Sequence, residues 1–341
     1  MGYDNLKLEK GMYRQTGMSF TQVLESLDPS ENYRGTALEG TDAFQRQLKR
    51  FGIRAKGAGS SPVEKFFSTM DSAVLFPEYI ARTVRQGMEE NNILPDIVAT
   101  TTVIDAMDYR SICSNPTDSE KELKSVEEGG EIPTTEVSTK EKLVKLTKRG
   151  RMLVASYEAL RFQKLDLFGV MLRQIGAHIQ NQLVQDAVDV IVEGDGNDNP
   201  AVQYCVSNPP ISGTLGTLGY DQMVEFWGQF DPFTMNTMLC CNKTMTKILK
   251  VPDLQNPLTG LNFQGTGKLT TPLGAKLCRC NAVDSGVIIG LDNRYALELV
   301  RAGDVMVEYD KLIDRQLERA AITSISGFGK ICDGASAILN I

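Results

Sequence analysis

The chain has 341 residues, with 36 Lys and Arg against 43 Asp and Glu, a net charge of −7 and a hydrophobic fraction of 42%. This acidic balance excludes a protein whose whole surface attracts nucleic acid, and leaves only local basic segments for salt-sensitive, non-specific phosphate contacts. No run of about 18 apolar residues occurs, so neither a membrane-spanning helix nor a membrane partner is expected.

The length favours about two domains. Met1-Gly2-Tyr3-Asp4-Asn5 lacks the basic-then-apolar order of a secretory leader, so synthesis in the cytoplasm is expected. The seven cysteines are Cys113, Cys205, Cys240, Cys241, Cys278, Cys280 and Cys332. They are odd in number, lie in apolar runs and form no CxxC pair, which reads as reduced structural thiols. His178 is the only histidine, so a mixed Cys/His zinc site is not expected.

Residues 1–57 read as an arm. Thr41-Asp42 caps a short helix whose apolar face is Phe44, Leu48 and Phe51, with Arg46, Lys49, Arg50 and Arg54 on its other faces. Those three apolar side chains are the expected docking points of the arm on a neighbour, a scaffold protein or packaged nucleic acid. Gly57 to Pro62 forms a flexible joint. Pro77 suits the first position of a helix running to about Met88. From Ile97 to Cys113 the β-branched content favours a strand.

Residues 114–136 are strongly acidic, with Asp118, Glu120, Glu122, Glu127, Glu128, Glu131 and Glu136 against Lys121 and Lys124. The sign then reverses through Lys140, Lys142, Lys145, Lys148, Arg149 and Arg151. Residues 98–155 are therefore expected to form two long strands joined by an acidic tip, a projecting hairpin. An isolated two-stranded ribbon is marginal in water. The charge separation makes sense if Glu127, Glu128 and Glu131 of one copy rest on Lys145, Lys148, Arg149 and Arg151 of another.

A long amphipathic helix follows over 166–193, with Phe168, Leu172, Ile175, Ile179, Leu183, Ala187 and Ile191 on one face. Beyond it, helical spacing covers Tyr220 to Phe230, a buried strand covers Met235 to Cys241, and Asn242 is expected to cap a short helix reaching Leu249. Strands are expected at Leu277 to Val283, Gly286 to Leu291, around Val305 to Tyr309, and at Ile322 to Ile331.

No catalytic constellation emerges. Gly265-Thr266-Gly267-Lys268 has Asn262 where a phosphate loop needs glycine and Leu269 where it needs Ser or Thr. Asp195-Gly196-Asn197-Asp198-Asn199 has Pro200 at the sixth calcium-loop position and Val206 at the twelfth. His178 lies within the long helix, where a surface or interface role fits better than a general base. Neither a cofactor nor catalytic turnover is expected. An α+β hydrolase working through carboxylates stays open as an alternative of another class, because such sites need no local motif.

The order of elements carries a resemblance. It comprises Phe66-Phe67 through Leu75-Phe76-Pro77-Glu78-Tyr79, the acidic hairpin, and Arg149-Gly150-Arg151 leading through Ser156-Tyr157-Glu158-Ala159 into the long helix. Leu291-Asp292-Asn293-Arg294-Tyr295-Ala296-Leu297 and the ending Val305 to Lys330 complete it. Over roughly residues 40–341 the chain resembles the major capsid proteins of tailed phages, the fold first seen in phage Hong Kong 97.

The resemblance implies an α+β fold with an N-arm (1–70), a linker (71–97) and an extended β-hairpin loop, the E-loop (98–150). A peripheral domain would hold the spine helix (151–199) and return strands (304–341), and an axial domain would hold 200–303. It also implies assembly as pentamers and hexamers into an icosahedral virion shell around double-stranded DNA, with portal and scaffolding proteins as partners. An encapsulin-type compartment shell shares the fold and is the nearer alternative. Some relatives join a loop lysine to an asparagine; Lys121 and Lys124 would be the candidates, but no asparagine partner stands out and non-covalent stabilisation is expected.

Overall fold

The computed structural model describes residues 3–14, 18–90, 92–105, 108–113, 125, 138–139, 142–156, 163–255, 274–303, 305–312 and 317–341. Its helices are α1 (Phe20–Leu27), α2 (Ala43–Arg50), α3 (Met70–Glu90), α4 (Leu165–Glu193), α5 (Tyr220–Trp227), α6 (Asn242–Leu249) and α7 (Pro252–Gln255). Its strands are β1 (Val98–Val103), β2 (Ile112–Cys113), β3 (Ser138–Thr139), β4 (Thr147–Ser156), β5 (Val202–Cys205) and β6 (Thr237–Cys240). They continue with β7 (Lys276–Arg279), β8 (Val287–Leu291), β9 (Leu297–Arg301), β10 (Met306–Leu312), β11 (Leu317–Lys330) and β12 (Ser336–Asn340). The architecture is α+β. The chain divides into two compact units: Met1–Asn91, Arg149–Gln180 and Val305–Ser324 in the first, Asn92–Lys148, Asn181–Asp304 and Ile325–Ile341 in the second.

In the first unit, α1 and α2 each begin with a reciprocal capping box, Ser19 with Gln22 and Asp42 with Gln45. Such boxes satisfy two helix-end amides at once and fix where short helices start. Phe20, Val23, Leu24 and Phe44 of these helices share one buried core with Val74, Leu75, Phe76, Ile80 and Val84 of α3 and with Leu165, Phe168 and Leu172 of α4. Leu8, Met12, Phe20, Val23, Leu24, Ala43, Phe44 and Ile53 are thus part of a packed core, where the sequence suggested an arm.

Helix α3 begins at Met70, two turns before Pro77, which lies in its interior. Proline leaves a gap in the helical ladder, and the Tyr13 hydroxyl repairs the next rung. It donates to the Val74 carbonyl at 2.7 Å and accepts from the Glu78 amide at 3.1 Å, linking two groups that would otherwise bond each other. Burial of Val74, Leu75 and Phe76 holds the added turns in place. That is why Pro77 does not start the helix.

Helices α3 and α4 touch backbone to backbone. A Cβ on Gly87 would lie 2.2 Å from the Arg173 carbonyl oxygen, and one on Gly176 would lie 2.1 Å from that of Val84. Only glycine fits at either point. The unit's sheet pairs β10 with β11 antiparallel, from Met306↔Thr323 to Leu312↔Leu317, and β4 also pairs with β11. Val305, Ala320 and Ile322 face the core.

Helix α4 has 29 residues, about 44 Å at roughly 1.5 Å per residue. Of its expected apolar face, Phe168, Leu172, Leu183, Ala187 and Ile191 are buried and Ile175 and Ile179 half-buried.

The second unit is built on a sheet of order β5-β12-β8-β6-β7, with β12 parallel to β5 and antiparallel to β8, and β6 parallel to β7. Its layer of Met223, Phe226, Phe230, Met238, Ile248, Ile288 and Leu339 is buried as one core. Strand β12 corrects the expectation that all of 304–341 returns with the peripheral strands. Ala337, Ile338 and Leu339 are buried on both faces, so the strand needs a central place in a sheet covered on each side.

The long hairpin is corrected too. Strand β1 runs parallel to β9, which pairs antiparallel with residues 326–330 of β11. Among the described residues of 98–155, β2 and β3 are the strands that pair with each other, as Ile112↔Thr139 and Cys113↔Ser138. Each long strand joins a larger sheet, a more stable arrangement than a lone ribbon.

Candidate assembly surfaces

The roots of the acidic loop are fixed from the sheet upward. Gly327 and Gly329 of β11 leave room for the chain to cross: a Cβ on Gly327 would fall 2.4 Å from the Lys145 carbonyl oxygen, and one on Gly329 lies 3.4 Å from the Ser111 Cβ. Tyr109 accepts from the Val144 amide at 2.8 Å through its carbonyl, tying the two roots together. Beside them the Glu298 carboxylate of β9 is buried. It accepts from the hydroxyls of Thr102, Tyr109 (2.7 Å) and Ser111 (2.8 Å). Burial and then the bond to Glu298 push the Tyr109 phenol above its ordinary value. Sequence reading missed Glu298; a lone acid in Ala296-Leu297-Glu298-Leu299-Val300 was the available signal.

The expected contact residues fall in different places. Lys145 and Lys148 are exposed at the end of the returning root, and Arg151 is exposed on β4. Arg149 is half-buried and engaged within the chain. Glu127, Glu128 and Glu131 lie outside the described residues, as do Lys121 and Lys124.

The arm residues are a correction. Phe44 is buried in the chain's own core, with Leu48 and Phe51 packed half-buried against it, so these side chains do not form a free docking face. Beneath them Arg46, expected on a polar face, is buried. Its Nε donates to Asp28 at 2.7 Å, its other nitrogens donate to the Asp28 and Thr41 carbonyls, and Tyr33 donates to Asp28 at 2.7 Å. Glu25 accepts from the Ala43 and Ser30 amides at 2.7 and 3.0 Å. Burial pushes its carboxyl up, but these bonds and Arg46 outweigh that and hold it below the usual range.

Strand β4 has apolar residues on both sides. Leu153 faces the core, while Met152 and Val154 are more than half exposed, as is Met306 of β10. Leu167, Val170 and Met171 are exposed at the start of α4.

Among the described residues no cluster of three or more His, Cys, Asp or Glu is placed to hold a metal, and His178 is exposed. Cys240, Cys278, Cys280 and Cys332 are buried and in no disulfide among the described residues, with burial pushing Cys240 up to about 12 and Cys278 to about 11. Cys241 differs. Burial raises its thiol, but the Thr244 hydroxyl, 3.3 Å away, and amides at the start of α6 bring it below its ordinary value.

No family model matches the sequence, and no curated protein does either. Solved structures do match in fold. A virus-like particle from Pyrococcus furiosus aligns with a TM-score of 0.51 and 12% identity over 77% of this chain and 98% of that one. A structure from Microbacterium phage Oxtober96 aligns with a TM-score of 0.51 and 13% identity, over 73% and 91%. The capsid structure of the cyanophage P-SCSP1u aligns with a TM-score of 0.49 and 12% identity, over 72% and 86%. The first two alignments show that the chain has the fold of those structures, the Hong Kong 97-like capsid fold.

Proposed function

We propose that this chain is a major capsid protein, a structural subunit that assembles as pentamers and hexamers into an icosahedral shell around double-stranded DNA. The observation that carries this reading is a fold likeness spanning 98% of the virus-like-particle subunit. The exposed apolar residues Met152, Val154 and Met306 support it, because shell subunits complete their burial against one another. The subunit acts by geometry, without turnover, in the virion, with portal and scaffolding proteins as partners. Residues 98–150 serve as the E-loop. The acidic run around Glu127, Glu128 and Glu131 meets the cations Lys145, Lys148, Arg149 and Arg151 of another copy. Each exposed pair contributes only about 0–1 kcal/mol, so the charges set register and apolar burial supplies affinity.

Negative-stain microscopy of the purified chain tests the shell reading; a lone species at high concentration defeats it. The contact is tested with Lys145→Glu, Lys148→Glu and Arg151→Glu together. These three side chains are exposed, so the subunit should fold while assembly fails; normal particles would refute the contact. A compartment shell enclosing protein is the second reading, since one structure sharing the fold is a virus-like particle from Pyrococcus furiosus. Protein cargo without DNA in purified particles would favour it.

A further inference from the structure

From Ala43 to Val63 the sequence carries Arg46, Lys49, Arg50, Arg54 and Lys56 and no acidic residue, within a chain of net charge −7. Two of these cations are used internally. Arg46 is buried on Asp28, and Arg50 donates to the Leu6 carbonyl at 2.6 Å. Lys49, Arg54 and Lys56 are exposed, and no ion pair joins any of them among the described residues.

Two more cations are held against the same turn. The Lys65 ammonium donates to the Gly52 carbonyl at 2.6 Å and the Lys164 ammonium to that of Ala58 at 3.5 Å. Arg54 lies beside Gly59, its guanidinium nitrogen 3.6 Å from where a Cβ would stand. Backbone bonds from the Ser61 amide to the Arg54 carbonyl (2.8 Å) and from the Leu165 amide to the Ser61 carbonyl (2.9 Å) close the turn and tie it to the start of α4. The nearest exposed acids in sequence are Glu64 and Asp166.

We propose that the turn Gly52–Ser61, ringed by Lys49, Arg54, Lys56, Lys65 and Lys164, binds the phosphate backbone of duplex DNA without sequence preference. Protein interfaces are anchored by desolvated aromatic or aliphatic side chains and are poor in lysine. None of the large exposed apolar side chains lies between Leu27 and Met70. A cationic turn whose own stretch of chain carries no such anchor fits phosphates, whose attraction is electrostatic and comes with release of counterions. The inference rests on the DNA-enclosing reading and adds the surface that would meet the DNA.

The test uses the full-length chain before assembly, a fluorescent DNA duplex of arbitrary sequence, and poly-glutamate as the acidic-protein control. With five phosphate contacts, log K should fall against log salt with a slope of about −4.5. Lys49→Gln, Arg54→Gln and Lys56→Gln together should shallow that slope by about 2.7 and weaken binding more than about tenfold for every duplex. An unchanged slope overturns the proposal, and so does a loss confined to poly-glutamate. Should the triple variant melt early, Lys56→Gln with Lys164→Gln should shallow the slope by about 1.8. Particle formation is scored separately. Particles with an unchanged slope defeat only this surface, whereas absence of particles defeats the shell reading whatever the slope.

Discussion

Arg46 and Asp28 form a buried ion pair, Nε to Oδ2 2.7 Å, in which both side chains are essentially removed from solvent. Two charges this deep are tolerated only because their remaining bonding capacity is met. Arg46 also reaches the Ser30 hydroxyl at 3.0 Å and stacks over the Tyr33 ring at 4.3 Å. Removing one partner leaves the other charged and unpaired, which typically costs about 3–5 kcal/mol. Arg46→Ala should therefore lower the denaturation midpoint of isolated subunits sharply, and deletion of 1–57 should do so even more. Melting temperatures that stay put would return this segment to the status of an arm.

The contact of α3 with α4 gives a sharper structural test. Gly176→Ala forces a methyl into the Val84 carbonyl, and overpacking of this kind costs about 1–3 kcal/mol or more. Gly228→Ala is the control, since nothing lies within 4 Å of its Cβ position. Urea titrations of both variants should separate them clearly. Equal midpoints would mean that the two helices are not in backbone contact.

Asp292 should govern part of the acid sensitivity. Burial pushes its carboxyl up, but bonds from the Arg294 side chain, the Thr234 amide and the Arg294 amide outweigh that and hold it below the ordinary value. A depressed folded value adds stability above the unfolded value of about 3.9, and that stability disappears as pH falls through the folded value. Wild type should exceed Asp292→Asn in stability at neutral pH, with the gap closing below about pH 4. A gap that stays constant to pH 2 would contradict this sign.

Glu298 should control local opening of the loop roots. Glu298→Ala leaves the hydroxyls of Thr102, Tyr109 and Ser111 without their acceptor, and bonds to a charged group contribute about 1.5–3 kcal/mol each. Amides of 108–113 and 142–146 should then exchange with deuterium about tenfold faster or more, while those of β8 and β12 keep their protection. Uniform acceleration across the sheet would show that Glu298 supports the whole unit and not the roots alone.

Cys241 should be the first cysteine to react. A hydrogen-bonded, half-buried thiol with a lowered pKa carries more thiolate than Cys240 or Cys278, whose burial opposes ionisation. Mass spectrometry after brief iodoacetamide treatment at pH 7.5 should find Cys241 alkylated ahead of those two. Preferential labelling of Cys240 would reverse the assignment.

Local signals were readable where the physics was local. The start of α2 at Asp42 and the span of α4 follow from a cap and from apolar spacing, which act within one or two turns, whereas Asn242 proves to be the first residue of its helix, with Cys241 at the cap position. Pro77 misled because the group that bridges its ladder, Tyr13, lies 65 residues from Glu78. Strand β12 gave no alternation because both of its faces are buried. Arg46 read as a surface cation because nothing near it in sequence announces Asp28, 18 positions away.

The span of α4 and the reversal of charge after Glu136 were determined by the sequence alone. They depend on residue type and short-range spacing, and a chain carries both openly. Which strand pairs with which, where the N-terminal residues pack, and which carboxylate holds the loop roots were decided only in three dimensions. Those outcomes depend on side chains tens to hundreds of positions apart competing for the same buried volume and the same hydrogen bonds.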